Sequence, residues 1–275
     1  MRPASRLAEL VATFPSVLVG YSGGVDSALL AVVTRRALGR ERAVAAMGIS
    51  PSYAADQRAR ALDTAHRFDL NLLELPTAEL NDPRYAANPT NRCYFCKQEL
   101  WRVLSGAAQE RGIAIVADGT NADDRGEHRP GRAAGIESGI RSPLLEAGYT
   151  KAEIREEARG LGIPVWDAPA APCLSSRVLY GLTVTPRRLG QVEAGEALLR
   201  AAGVRGDLRV RHRGDEARIE IGPEEFPVVR SRREQIGAEL IALGFSRVTL
   251  DLAGYRRGSL LSTEPAPVEV LAARD

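Results

Sequence analysis

Three groups of residues in this sequence have the types and the spacing for chemistry. The first is Ser22-Gly23-Gly24-Val25-Asp26-Ser27, a polar turn between the apolar run Val17-Leu18-Val19-Gly20 and an apolar stretch beginning at Val25. Glycines let a backbone turn sharply and approach a ligand, the two serines add hydroxyl donors, and the unpaired N–H groups of a helix start face the same space. Such a loop binds an anion. It lacks the lysine of G-x-x-x-x-G-K-[ST] and the spacing of G-x-G-x-x-G, which excludes both of those phosphate-binding patterns. The second group is Cys93-Tyr-Phe-Cys96 with Cys173, all the cysteine the chain has. An odd count argues against a disulfide framework and for metal or redox chemistry. Three thiolates are one short of a closed zinc site, and none of His66, His128 and His212 is spaced as a partner. A [4Fe-4S] cluster with one iron left open suits the count; buried structural cysteines and a redox dithiol are the other readings. The third group is Arg209, Arg211 and Arg213, which alternate and therefore share one face of a strand, with Arg256 and Arg257 further on. Guanidinium forks suit a substrate phosphate, the alternative being a solvated edge strand.

The elements that must position these residues alternate in type. After the strand at Val17 and its helix, Val25 to Leu38, strands are expected at Ala43 to Ile49, Leu70 to Leu75 and Ile113 to Ala117. Helices at Ala54 to Phe68 and Cys93 to Arg111 separate them. Strands spaced by crossover helices make a doubly wound parallel sheet, an α/β architecture whose ligands lie beyond the carboxyl ends of its strands. Ser22 to Ser27, Ser50 to Tyr53 and Asp118 to Asp124 all fall there. A long polar loop is expected from Asp118 to Ser142, then a helix opened by the capping box Thr150-Lys-Ala-Glu153 and closed near Gly160 to Gly162. Pro164, Pro169 and Pro172 imply a stiff, extended connection and a domain boundary within it, giving domains 1–168 and 169–275.

Beyond that boundary, Thr185-Pro186 caps and opens a helix running to about Ala202. Leu208 to His212 and Ala217 to Ile221 alternate as two half-exposed strands around Gly214-Asp215. A helix from Pro223 to Leu243 and a strand at Arg247 to Leu252 complete a small α+β domain, and the last dozen residues read as a loose tail.

The composition bounds the function. At 275 residues, 44% hydrophobic and 26% charged, the chain is an ordinary globular protein able to bury a core without staples. Thirty-seven basic against thirty-five acidic residues leave a formal +2, which removes the polyelectrolyte basis for non-specific nucleic-acid binding. No run approaches a membrane span, and Met1 to Phe14 reads as an amphipathic helix with no signal-peptide character, so a cytoplasmic protein without membrane partners is expected. Only Lys97 and Lys151 among the basic residues are lysines.

Ser-Gly-Gly-Val-Asp-Ser resembles the pyrophosphate loop (PP-loop) of the N-type ATP pyrophosphatases, which include GMP, NAD and asparagine synthetases and tRNA-thiolating enzymes. Five further motifs, spread over nearly the whole chain, resemble the LarE family of ATP-dependent sulfur transferases of nickel-pincer nucleotide cofactor biosynthesis. They are Asn91-Arg-Cys93-Tyr-Phe-Cys96-Lys-Gln-Glu-Leu-Trp101, Asp118-Gly-Thr-Asn-Ala-Asp-Asp124 with Arg129-Pro-Gly131, Ala171-Pro-Cys173-Leu-Ser-Ser-Arg177, Ala217-Arg-Ile-Glu220, and Asp251-Leu-Ala-Gly-Tyr-Arg256-Arg-Gly258.

The resemblance implies that a carboxylate of a pyridinium biscarboxylate mononucleotide is adenylated by ATP with Mg²⁺, and that a sulfur nucleophile then displaces AMP to give a thiocarboxylate. Some members sacrifice the cysteine matching Cys173, whereas others use a [4Fe-4S] cluster on three cysteines; this sequence, with Cys93, Cys96 and Cys173, resembles the cluster type. By the same resemblance Ser22, Gly23, Gly24, Asp26 and Ser27 hold pyrophosphate and metal, Gly119 and Thr120 lie near the phosphates, and Asp118 and Asp123 or Asp124 assist Mg²⁺. Ser176, Arg177, Glu196 and Glu220 are expected in the active site, Trp101 against a ring, and Arg209, Arg211, Arg213 and Arg256 on the substrate phosphate. A homo-oligomer such as a hexamer is also implied. A [4Fe-4S]-dependent tRNA-thiolating enzyme is the alternative within the superfamily, and a nucleotide-binding sensor the non-enzymatic one.

Overall fold

The computed structural model describes residues 5–124, 130–169, 172–256, 258–261 and 266–274. Arg129, Ala171 and Arg257 of the motifs above, His128, Met1 to Ala4 and Pro265 lie outside the described residues. The chain divides into two compact units, Met1–Tyr85 with Asn91–Pro172, and Ala86–Thr90 with Cys173–Asp275.

The first unit runs α1 (Arg6–Ala12), β1 (Val17–Gly20), α2 (Val25–Leu38), β2 (Ala43–Ile49), α3 (Ala55–Arg67), β3 (Asn71–Pro76), α4 (Pro83–Ala86, the last residue in the second unit), α5 (Arg92–Glu110), β4 (Ile115–Ala117), α6 (Pro130–Glu137), α7 (Pro143–Glu146) and α8 (Lys151–Leu161). Its four strands are parallel in the order β3-β2-β1-β4, so the sheet grows in opposite directions from β1. Successive side chains of a strand point to opposite faces, and both faces here are apolar. Val17, Val19, Ala43, Ala45 and Met47 pack with Leu7 and Val11 of α1, Leu29 of α2, Ala61 of α3 and Ile154 of α8. Leu18, Val44 and Ala46 pack with Trp101, Leu104 and Ala108 of α5 and Ala134 of α6. Helices on both faces make the sheet doubly wound, as expected. Val17, Leu18 and Val19 are at most 1% exposed, and burial of each such side chain contributes about 1.5–3 kcal/mol, so the loop after β1 starts from a firmly held strand.

The second unit runs α9 (Pro186–Ala201), β5 (Leu208–Arg213), β6 (Glu216–Ile221), α10 (Phe226–Ser231), α11 (Arg233–Ala242), β7 (Arg247–Asp251) and β8 (Val268–Ala273). The sheet order is β5-β6-β7-β8, with the middle pair parallel and the outer pairs antiparallel. Val210, Ala217, Ile219, Val248, Leu250 and Leu271 turn one face toward Leu199, Val229, Ile236 and Leu240 of the helices. The alternate positions place Arg209, Arg211, Glu216, Arg218, Glu220, Thr249 and Asp251 on the other face.

Four expectations are corrected. The stretch Asp118 to Ser142 is not all loop: it contains a 3-10 turn, Ala122–Asp124, and α6. The connection around Pro164 is turned over residues 164–167 instead of extended. The helix expected from Pro223 to Leu243 is a 3-10 turn and two helices; Pro227 has no N–H and belongs in a first turn, so a new helix opens at Phe226, and Arg232 (φ −120°, ψ 22°) separates α10 from α11. The tail carries β8, whose register on β7 is set by pairing and by Leu271 at 6% exposure. No helix among the described residues is long and apolar enough to cross a membrane.

Candidate functional site

The loop after β1 gathers its own hydroxyls. Ser27 Oγ accepts from Ser22 N–H at 3.1 Å and donates to the Gly24 carbonyl at 3.0 Å, and it lies 3.1 Å from Ser22 Oγ. Gly23 has φ +72°, and a Cβ there would lie 2.5 Å from Ala61 Cβ, so both conformation and space demand glycine. Gly24 is the N-cap of α2 and supplies no side-chain cap, which leaves the first N–H groups of the helix for an anion. From below, Tyr53 Oη and Gln57 Nε2 donate to the Ser22 carbonyl at 3.0 and 2.9 Å and fix its direction. Burial pushes the Tyr53 hydroxyl up to about 12, so it remains a donor at neutral pH.

The segment after β4 closes on this loop. A Cβ on Gly119 would meet Ser27 N at 2.9 Å, so only glycine allows the approach. Asp118 accepts from Thr120 N–H and Oγ1 and from Ser142 Oγ at 2.8–3.0 Å, which spends both its oxygens on shaping the segment. Asp123 accepts from the Lys151 N–H at 2.8 Å, and Asp124, 7% exposed, accepts from Asn121 N–H at 3.0 Å.

Asp26 is different. Its carboxylate receives Lys151 Nζ at 2.6 and 2.8 Å, with Asn121 Nδ2 at 3.4 Å. Lys151 is the first residue of α8, and Thr150 and Glu153 form the expected capping box. Glu153, accepting from Thr150 and from Arg6, has its pKa pushed down to about 2. Sequence reasoning missed Lys151 as a site residue. The available signal was its rarity, since nearly all of this chain's cations are arginine.

Among the described residues no three Cys, His, Asp or Glu side chains converge as ligands of one ion. A carboxylate beside a phosphate cradle nonetheless fits Mg²⁺, which takes one or two protein carboxylates and fills its shell with phosphate oxygens and water. Of Asp26, Asp118 and Asp123, Asp26 is the one paired with a described side-chain cation, Lys151, and its bond from Asn121 is a long one at 3.4 Å.

Cys93 and Cys96 lie three apart in the first turn of α5, hence on one side of it, with Cys93 exposed and Cys96 partly so. A Cβ on Gly131 of α6 would lie 3.3 Å from the Cys93 carbonyl, and Tyr94 Oη donates to Glu137 at 2.5 Å; both tie α6 to this turn. Trp101 needs correction as a stacking platform. It is 2% exposed, packs on Gly20, leaves its indole N–H unpaired and has Lys97 Nζ 4.8 Å from its ring centroid. It is a core residue of this unit.

In the second unit Cys173 precedes a 3-10 turn, Leu174–Arg177. Arg177, 5% exposed, donates to both oxygens of Glu196 at 2.9 and 3.1 Å and to the Cys173 carbonyl at 3.1 Å. Glu196 also accepts from Val210 N–H, joining turn, α9 and β5. Arg211, 6% exposed, donates to Glu220, to the Ser176 carbonyl and to Ser259 Oγ, each at 2.9 Å. Glu220 is 3% exposed, so it is not the solvent face of its strand. Arg209, 8% exposed, lies 5.2 Å from the Tyr255 ring centroid, and burial lowers its basicity. These two arginines do not lie on a solvated edge.

The structure therefore brings together Ser176, Arg177, Glu196, Arg209, Arg211 and Glu220, but not the whole arginine row. Arg213 turns to Glu216 at 3.6 Å, and Arg256, nearly half exposed, stands 3.8 Å from Asp251. Ser259 joins the cluster unforeseen, as do Tyr255 and Asp251, which sequence reasoning singled out only as part of a motif, without a role. Asp251 is 2% exposed, and burial raises its pKa.

The NAD synthase family pattern matches residues 7–86. Across 88% of its length the chain is 42% identical to an uncharacterized protein of Synechocystis sp., covering 91% of it. It is 33% identical, over 94% of its own length and 95% of the relative, to the pyridinium-3,5-bisthiocarboxylic acid mononucleotide synthase of Lactiplantibacillus plantarum. A GMP synthase of Ligilactobacillus salivarius is 28% identical over 67% of this chain and 39% of that protein. Parallel sheet, loop and relatives make the first unit a PP-loop ATP pyrophosphatase domain. The chain belongs to the LarE family, that of the L. plantarum synthase.

Proposed function

We propose that this protein is an ATP-dependent sulfur transferase acting on pyridinium-3,5-biscarboxylic acid mononucleotide and producing a thiocarboxylate. The observation that carries the reading is the likeness, over nearly the whole of both chains, to a synthase named for the bisthiocarboxylic product. The chemistry matches the residues. A carboxylate becomes an acyl donor only when its oxygen is made a leaving group, so a substrate oxygen attacks the α-phosphorus of ATP and pyrophosphate departs into the loop of Ser22 to Ser27. The α2 N-terminus and the Lys151 ammonium stabilise charge developing there. A sulfur nucleophile then attacks the acyl adenylate and AMP leaves. Asp26 would hold Mg²⁺, which supplies charge neutralisation on the phosphates.

On this reading Arg209 and Arg211 receive the substrate phosphate, and Glu196 and Glu220 hold the arginine cluster in place. A [4Fe-4S] cluster on Cys93, Cys96 and Cys173 would supply an open iron site for delivering sulfide. The test is to incubate the protein with ATP, Mg²⁺, sulfide and the mononucleotide. Pyrophosphate release that needs the mononucleotide, with exchange of one oxygen for sulfur in its mass, supports the reading. Pyrophosphate release without the mononucleotide, or no exchange, refutes it.

A further inference from the structure

At the carboxyl end of β2 the chain turns through Ser50-Pro51-Ser52, and just past β3 Glu79 comes to meet it. Glu79 is 3% exposed and Ser52 is 5% exposed. Ser50 Oγ donates to Glu79 Oε1 at 2.5 Å and Ser52 Oγ donates to the same oxygen at 2.7 Å, while the Ser52 N–H is held by Ser50 Oγ at 3.2 Å. Both hydroxyls therefore fall on one oxygen. No described residue bonds Oε2, and no described cation pairs with the carboxylate. A buried carboxylate without a cation is costly unless hydrogen-bond donors compensate it. Half of this one's acceptor capacity is left open.

The location says what would fill it. Thr77 N–H bonds the Ile49 carbonyl at 3.0 Å, extending the β2–β3 pairing to the point where both segments leave the sheet. Tyr53, next to Ser52, reaches the Ser22 carbonyl of the phosphate loop. The cluster thus stands at the same end of the sheet as the loop, one strand to the side of it. A nucleotide whose phosphates lie on the α2 N-terminus carries its sugar away from that helix. A ribose presents two adjacent hydroxyls, both donors, and a carboxylate with one shared and one open oxygen accepts them.

We infer that Glu79, set by Ser50 and Ser52, is the ribose-reading residue of the nucleotide site and makes it select ribonucleotides over deoxyribonucleotides. The inference rests on the reading of the loop as an ATP site. A hydrogen bond to a charged group is worth enough that losing one hydroxyl weakens binding roughly tenfold or more.

The test titrates the full chain, with Mg²⁺, with ATP, 2′-deoxy-ATP and 3′-deoxy-ATP, using wild type, Glu79→Gln and Ser52→Ala. Wild type is expected to bind ATP at least about tenfold more tightly than one of the deoxy forms. In Glu79→Gln, ATP binding should fall toward that of the deoxy form, whose own affinity stays near the wild-type value; Ser52→Ala should narrow the ratio part of the way. A residue that only supports the fold would weaken all three nucleotides alike, and that result overturns the assignment. So does a wild type indifferent to both hydroxyls, which leaves the ATP reading standing. A wild type that binds no ATP removes both together.

Discussion

Lys151 Nζ stands 2.6 and 2.8 Å from the two carboxylate oxygens of Asp26, 125 residues away in sequence. The members of the pair are 39% and 26% exposed. At that exposure an ion pair contributes only about 0–1 kcal/mol to stability. On the proposed function its value lies in chemistry: a cation at the loop would turn to a phosphate once Mg²⁺ took Asp26.

Replacing Lys151 therefore separates function from fold. Lys151→Gln should change the melting temperature little yet slow mononucleotide-dependent pyrophosphate release by about a hundredfold, the cost of one charged group stabilising a developing anion. Lys151→Arg should recover only part, because a planar guanidinium does not replace a compact ammonium. A Lys151→Gln variant with unchanged turnover would remove this role.

Gly23→Ala is expected to damage both fold and function. The residue sits at φ +72° with Ala61 in the way of a Cβ, so strain and overlap together should cost about 1–3 kcal/mol. Chemical denaturation measures that loss, and ATP titration should show the loop no longer binding. Gly24→Ala, which has only Ser22 Oγ at 3.6 Å near its Cβ position, is the control that should fold normally.

The sulfur source is decided by three cysteine variants. If Cys93, Cys96 and Cys173 hold a cluster, alanine at Cys93 or at Cys173 should abolish iron binding after anaerobic reconstitution and abolish repeated turnover. If Cys173 alone is sacrificed, Cys93→Ala and Cys96→Ala should keep a single turnover that Cys173→Ala loses. ATP binding should survive in all three. Full multiple-turnover activity in Cys173→Ala would overturn both routes.

His212 should make the protein acid-sensitive. Its Nε2 faces Gln191 Oε1 at 3.1 Å, and Gln191 Nε2 is already donating to the Leu243 carbonyl, so Nε2 carries the proton and Nδ1 is bare. Nδ1 is buried without a partner, and the residue is 2% exposed. Burial, with the nearby charges of Arg188 and Arg187, lowers the imidazole pKa from 6.5 to about 4. The unfolded chain therefore binds the proton more readily. The stability due to neutral His212 is complete above about pH 6.5 and lost as pH falls toward 4, at most about 3 kcal/mol. Urea denaturation at several pH values should show a steeper loss between pH 6.5 and 4 in wild type than in His212→Gln. Equal slopes would refute it.

Much of this was legible in the sequence because it is encoded within a few residues of itself. Continuous apolar runs mark β1 and β2, period-two alternation marks β5, and the capping box marks the start of α8 and Gly162 its end. The phosphate loop needs only a strand, two glycines and a helix start, all contiguous. What packing decides was not legible. Trp101 has the same neighbours in sequence whether it faces a ligand or a core, and only the approach of Gly20 on the adjoining strand puts it in the core. Val268 to Ala273 reads as a loose tail until β7 offers it hydrogen bonds. Within the first unit Asp26 finds Lys151 and Ser50 finds Glu79, and within the second Arg211 finds Glu220 and Ser259, only because packing brings separate elements together. Long-range juxtapositions leave no periodicity in the chain, so tertiary structure alone determines which charges are paired and which carboxylate oxygen is left open.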